Sequence, residues 1–263
     1  MKIQFLSAIL ALASLGASVS LLAQAPTGAP ATKGKGAKGK AAPAAPAPKL
    51  PDGTPDFSGV WTGFGSNAGD ITKGLKPGEE VVMLPWAVEK MKTLKSQDDP
   101  QANCMPSGIP RGNPYPWRIV QTPTHKAATH MFILYEGNVH SFRQIFMDGR
   151  PHPEDPDPIW WGHSIGHWEG ETLVIDTVGF NDKFWLDYLG HPHTEKMHTI
   201  ERYTRTDMNT LAIEVTIDDP GAYTKPFTTQ GRARLLPNDE LMEYVCQENN
   251  IDLVHVDAPA QLP

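Results

Sequence analysis

Short segments of alternating apolar and polar residues, separated by turn-forming residues, dominate the chain from about residue 130 onward. In segment 210–218, every second residue from Leu211 to Ile217 is apolar, a period that places these side chains on one face of a β-strand. Pairs of such segments flank turn sequences, of which Gly-Asn at 137–138 is typical of a two-residue hairpin. The four predicted hairpins pair 131–136 with 139–148, 164–168 with 172–178, 196–206 with 210–218, and 227–236 with 241–247.

These hairpins predict an all-β fold. Segments 57–64 and 118–122 add two candidate strands, and Gly59 and Trp61 match the Gly-x-Trp with which calycin barrels often open. One short helix is expected at 85–96, because Pro suits a first helical turn. No βαβ pattern recurs, and sequential strands lose their exposed edges only when the sheet closes. We therefore predict a single antiparallel up-and-down, lipocalin-like β-barrel of 8–10 strands, with a β-sandwich as the alternative fold.

The chain divides into three predicted regions. Residues 1–25 have an early Lys2, an apolar run and small residues after it, which is the layout of a secretory signal peptide. Residues 26–50, almost entirely Ala, Lys, Pro, Gly and Thr, are expected to form a disordered linker. Residues 51–263 are expected to form the barrel domain, with no transmembrane span once the signal peptide is removed. The predicted location is periplasmic or secreted.

Charge is distributed unevenly along the chain. Residues 1–50 contain six Lys and no acidic residue, so residues 51–263 contain 17 basic and 30 acidic residues, a net charge of −13. Because nucleic-acid affinity depends mainly on contacts to phosphates, this acidic region is not expected to bind nucleic acid.

Two cysteines, Cys104 and Cys246, are candidates for a disulfide bond. Export would place them in an oxidising compartment, where such pairs form. The alternative is two buried free thiols.

Most candidate site residues lie in the segment from Trp160 to Tyr203. This segment contains five of the ten histidines of the chain. In His191-Pro192-His193 the two imidazoles are two residues apart, so in an extended segment both can meet one substrate or one divalent metal such as zinc. The alternative is a turn whose rings bond backbone carbonyls.

Carboxylates in the same region are candidates for acid–base chemistry. Asp176 lies among apolar residues and is predicted to be largely buried, paired with Arg202 or His198. A structural ion pair is the alternative for Asp176. Glu201 is expected to face a cavity. The candidate catalytic residues are Asp176, Asp182, His191, His193 and Glu201, and the candidate ligand-binding residues are Trp161, Trp168, Trp185, His198, Arg202 and Tyr203.

Several longer motifs resemble a family of exported bacterial proteins to which no activity is assigned. The resemblance covers about residues 51–255 and implies export, but it assigns no role to any residue. The matching stretches are DDPQANCMPSGIPR (98–111), DGRPHPED (148–155), GHWEGETLVIDTVGFND (166–182), WLD (185–187), GHPHTE (190–195), ERY (201–203), IDDP (217–220), YTKP (223–226) and CQEN (246–249).

Together these features predict an exported β-barrel that binds a small organic ligand, a sugar or an aromatic compound, in a pocket lined by His, Asp, Glu and Trp. Hydrolase or lyase chemistry, by acid–base or metal-assisted catalysis, is the favoured activity. The alternative is a non-catalytic ligand-binding or cell-envelope interaction module.

Overall fold

The structure, a computed structural model, describes residues 44–64, 69–112, 115–124, 127–137, 139 and 141–248. The predicted signal peptide, most of the predicted linker and Asn138 of the first predicted turn lie outside the described residues.

The described residues form nine strands that close into one barrel, each strand bonded to the next and the last to the first. In the described part of the chain before the second strand lie one α-helix, α1, and three short 3-10 turns. The strands are β1 (Val60–Thr62), β2 (Trp117–Thr124), β3 (Ala127–Tyr135), β4 (Phe142–Phe146), β5 (His163–Glu169), β6 (Thr172–Val178), β7 (His198–Asp207), β8 (Thr210–Asp218) and β9 (Phe227–Leu236); α1 is Pro85–Thr93, and the 3-10 turns are Ile71–Gly74, Ser96–Asp98 and Pro100–Asn103.

The predicted barrel, its strand number and its short helix are confirmed, but two details were wrong. First, β4 and β5 are parallel, so the barrel is not wholly antiparallel. The connection 147–162 therefore returns along the barrel before β5 begins. Second, residues 241–247 form no strand, because β1 already pairs with the free edge of β9, with Val60 opposite Leu236.

Alternation along the strands produces the core as the sequence predicts. In β8 the apolar residues from Leu211 to Ile217 are buried, and the residues between them are partly exposed. Large side chains fill the lumen: the rings of Trp61 and Trp117 stack at 6.5 Å, and Tyr203 meets Trp117 edge-on. The cavity left beside Tyr203 has about 10 Å³, enough for about one water molecule.

A loop before β2 covers the lumen near that cavity. Its Gly108 has a φ of +64°, and a β-carbon there would lie 2.3 Å from the ring of Phe184. Ile109 and Pro110, joined by a cis peptide bond, line the cavity. Within the described ranges, the lumen is therefore filled by side chains and covered by this loop, and the cavity beside Tyr203 is too small for an organic ligand.

The predicted disulfide between Cys104 and Cys246 is confirmed, with a Cα–Cα distance of 5.6 Å. It ties the loops before β2 to the segment after β9, across a sequence separation of 142 residues. None of the helices in the described ranges is long and apolar enough to cross a membrane.

Candidate functional site

Glu201 lies in the lumen, where it forms a two-pronged ion pair with Arg143. Its two oxygens accept from Arg143 at 2.6 and 3.0 Å, and the two side chains are 2% and 1% exposed. Arg143 also donates to the hydroxyls of Ser164 and Thr177 at 3.0 and 2.7 Å, while Tyr203 donates to Glu201 at 3.0 Å. Burial opposes the charge of Arg143, but the carboxylate of Glu201 outweighs burial, and the pKa of Arg143 is raised. The pair is sealed from solvent, which fits a bracing role.

His191 is held by a buried carboxylate that the sequence did not single out. Its Nδ1 lies 2.7 Å from Oδ2 of Asp187, which is fully buried. The same carboxylate accepts backbone N–H bonds from Ile71, Leu189 and His191. These bonds join the loop before β7 to the first 3-10 turn, so the geometry of His191 is that of a brace for this loop.

His193 is also buried, but it faces different groups. Its ring centre lies 4.0 Å from that of Phe184, and its Nδ1 lies 3.3 Å from the carbonyl oxygen of Thr194. Burial lowers the pKa of His193 to about 4, so the ring is neutral at physiological pH. Asp182 instead borders a surface cleft of about 360 Å³.

Among the described residues, the predicted metal pair of His191 and His193 gains no third ligand. Within the part of the chain that the structure describes, no group of three or more His, Cys, Asp and Glu side chains is arranged to hold a metal ion.

Asp176 was predicted to be largely buried, and this was wrong: its side chain is 31% exposed. The lumen face of β6 is formed by the alternate residues Leu173, Ile175 and Thr177, so Asp176 lies on the outer face. Of its two predicted partners, His198 bonds to it, with Nε2 at 2.7 Å from Oδ1. The other, Arg202, donates to Glu169 instead, at 2.6 Å.

A further histidine completes the surroundings of Asp176. His152, from the connection 147–162, places its Nε2 3.0 Å from the same Oδ1, and its Nδ1 lies 2.8 Å from Nδ1 of His163. His152 and His198 line a groove of about 480 Å³ on the outside of the barrel.

The three tryptophans predicted to bind ligand do not form one floor. Trp161 stacks on Tyr135 with ring centres 4.6 Å apart, and Trp168 meets Phe57 edge-on at 5.4 Å. Trp185 lines a cavity large enough for a small ligand.

That cavity is a cleft of about 320 Å³ beside the disulfide, called the disulfide cleft below. Both cysteines line it, together with four aromatic side chains, a buried ion pair and several smaller groups. The aromatic residues are Tyr115, Trp185, Tyr188 and Tyr244.

A guanidinium group anchors one side of the disulfide cleft. The side chain of Arg111 is 1% exposed. It donates two hydrogen bonds to the carboxylate of Asp99, at 2.9 and 2.5 Å, and one to the side-chain oxygen of Gln101, at 2.9 Å. Its guanidinium lies 4.0 Å from the ring centre of Tyr188. Arg111 and Asp99 neutralise each other, so the anchor is polar with no net charge.

Most residues of this cleft escaped the sequence analysis, because they come from separate segments with no common period. The predicted disulfide was the signal available, since it brings residue 246 to the loop around residue 104. Tyr244 lies two residues before Cys246 and stacks on Tyr115 at 6.2 Å.

No protein-family model, curated protein or solved structure matches this chain.

Proposed function

We propose that this protein binds a small, uncharged organic ligand with an aromatic or sugar ring in the disulfide cleft. The observation that carries the proposal is the convergence of four aromatic side chains on the buried Arg111–Asp99 pair. The disulfide cleft has a volume of about 320 Å³, which lies at the lower end of the range for ligand pockets.

The lining suits a flat or ring-shaped molecule. Aromatic side chains stack on the faces of aryl and sugar rings, while a few polar groups fix the orientation of the ligand. Gln101, which accepts from Arg111 through its Oε1, supplies such a group in the lining of the disulfide cleft. A charged ligand gains little here, because Asp99 already neutralises Arg111.

The test uses p-nitrophenyl β-D-glucoside, which carries both kinds of ring, and saturation-transfer NMR on the full chain. Tyr244→Ala removes an aromatic wall of the disulfide cleft that is 41% exposed, so we expect an affinity loss of about fivefold or more. Met242→Ala is the matched control, because Met242 is on the same segment, is 69% exposed and does not line the cleft. Absence of saturable binding, or equal losses in the two variants, would contradict the proposal.

A second candidate function is acid–base catalysis of the hydrolase or lyase type at Asp176. The observation that favours it is the Asp176–His198 bond, which occupies Nε2 and leaves Nδ1 of His198 as the proton-accepting atom. A carboxylate that orients a histidine in this way is typical of general-base sites. The groove beside His198 gives a substrate access.

This second candidate is tested with p-nitrophenyl acetate. His198→Asn and Asp176→Asn should each lower the hydrolysis rate about tenfold or more. His167→Asn is the control, since His167 is exposed on the same side of the barrel and bonds to Glu169 instead. Equal rates for His198→Asn and His167→Asn would exclude this catalytic role.

We also infer that the chain is exported and belongs to the family of exported bacterial proteins that it resembles. The leader-like residues 1–25 support this inference, and the disulfide supports it because such bonds persist in oxidising compartments. Alkaline phosphatase fused after residue 50 should be active, because that enzyme becomes active only after export from the cytoplasm; an inactive fusion would refute export.

A further inference from the structure

The connection between β4 and β5 crosses the outer face of the barrel. Residues 148–161 of this connection are called the strap below. Near its end, the backbone of Ile159 pairs with Gly179 and Asn181, at 3.0 and 2.9 Å. Near its start, the strap is fastened by Arg150, which lies 4.0 Å over the ring of Phe146, and by His152. Between these fastenings lies the groove of about 480 Å³.

The His152 contact has an unusual requirement. Two imidazole nitrogens, Nδ1 of His152 and Nδ1 of His163, lie 2.8 Å apart, and a hydrogen bond of that length needs one proton between them. Nε2 of His152 already donates to the carboxylate of Asp176. In the neutral pair, His163 is therefore the donor and His152 the acceptor.

Proton uptake affects this contact in two stages. The first proton makes His152 an imidazolium that donates to both Asp176 and His163, so the contact survives. A second proton, on His163, puts an N–H on each of the facing nitrogens. The contact then becomes a repulsion between two cations with no acceptor between them.

Burial and two neighbouring positive charges oppose the second proton. Burial and the charges of His152 and Arg150 lower the pKa of His163. The rings packed on the other side, Phe146 and beyond it His130, supply no negative charge. Among the described residues, the titratable or charged groups that face the pair or line the groove come from four places. The strap supplies Arg150 with its ion-pair partner Asp148, and Glu154 and Asp155. The others are Asp176 of β6, His198 of β7, and Glu195 and Lys196 before β7.

We propose that the His152–His163 contact is a proton-operated latch, which holds the strap on the barrel at neutral pH and releases it when both rings are protonated. Release moves the strap, which forms one wall of the groove, away from the Asp176–His198 pair. The direction follows from linkage: a histidine with a lowered pKa stabilises the closed strap above about pH 6.5, and this stabilisation is lost as the pH falls through the lowered pKa.

The experiment measures hydrogen exchange of the Ile159 amide in the full chain at about pH 7.5 and about pH 5. This amide donates to Gly179, so it exchanges only when the strap lifts. After correction for intrinsic rates, we expect protection to fall about tenfold or more at the lower pH. Amides in the β7–β8 pair should keep their protection, which separates strap release from unfolding.

His163→Asn keeps a neutral hydrogen-bonding group opposite His152 but cannot take up a proton, so its protection should be the same at both pH values. His167→Asn, on the same strand and away from the strap, should respond like the wild type. An unchanged wild-type protection, or an equal pH response in His163→Asn, would overturn the latch. On the wild-type chain, imidazole ¹⁵N NMR supplies a test free of folding defects: opening must follow the second protonation of the pair, and opening at the first would refute the proposal.

Discussion

Removing the carboxylate of Glu201 should destabilise the barrel far more than removing an exposed partner of similar geometry. In Glu201→Ala, Arg143 keeps its bonds to the neutral hydroxyls of Ser164 and Thr177 but loses its counter-charge, and its own charge stays in a lumen where it is 1% exposed. Breaking a buried pair by removing one partner costs about 3–5 kcal/mol, because an uncompensated charge remains. We expect the free energy of unfolding to fall by about 4 kcal/mol.

Urea denaturation at neutral pH, with the disulfide intact, measures this loss. With an m-value of about 2 kcal/mol/M, the midpoint should fall by about 2 M. Glu169→Ala is the matched control: Glu169 also accepts from an arginine at 2.6 Å, but both side chains are exposed, and we expect a loss below about 1 kcal/mol.

A double variant separates the charge effect from simple loss of packing. Arg143→Met with Glu201→Gln removes both charges, and the amide still accepts from Tyr203. The double variant should therefore be more stable than Glu201→Ala. The reasoning is refuted if Glu201→Ala costs no more than Glu169→Ala, or if the double variant is the least stable of the three.

Burial lowers the pKa of His193 to about 4. The free energy of unfolding should therefore decrease by about 3 kcal/mol as the pH falls from about 6.5 toward 4. Urea titrations at several pH values measure this decrease, and in His193→Phe the pH dependence should be weaker. Reducing the disulfide should lower stability by up to about 4–5 kcal/mol, measured by denaturation with and without reductant; an unchanged midpoint would contradict this. Gly108→Ala should lower the melting temperature more than Gly170→Ala. Both glycines have a positive φ, but only at Gly108 would the added β-carbon clash with a ring, that of Phe184. Equal losses in the two variants would rule out a contribution from this clash.

The sequence predicted strands well where one strand face packs in the lumen and the other is polar. The predicted segments 172–178 and 210–218 coincide with β6 and β8, because a two-residue period leaves little freedom in register. Segment 241–247 has a strand-like composition, but it forms no strand because β1 pairs with the edge of β9 that this segment would need. Which strands pair depends on how the whole sheet closes, and a single segment does not determine it.

Burial of individual polar residues was harder to predict. In the sequence around Asp176, apolar residues occupy both faces of strand β6, and this pattern predicted a strand buried on both faces. Val178 lies on the outer face of β6 and lines the groove beside the strap. An apolar residue on the outer face of β6 is therefore packed outside the barrel and not in the lumen. No local pattern reveals that a connection returns across a strand, and for the same reason His152 could not be assigned to Asp176 in advance.

The filled lumen determines where a ligand can bind. Admitting an organic molecule to the lumen would require displacing Trp61, Trp117 or the Arg143–Glu201 pair, each of which contributes to the stability of the barrel. Binding in the disulfide cleft requires no such displacement, because the disulfide and the Arg111–Asp99 pair already fix its walls. A preformed site avoids the free-energy cost of opening a packed core, which favours the proposed site in the disulfide cleft over one in the lumen.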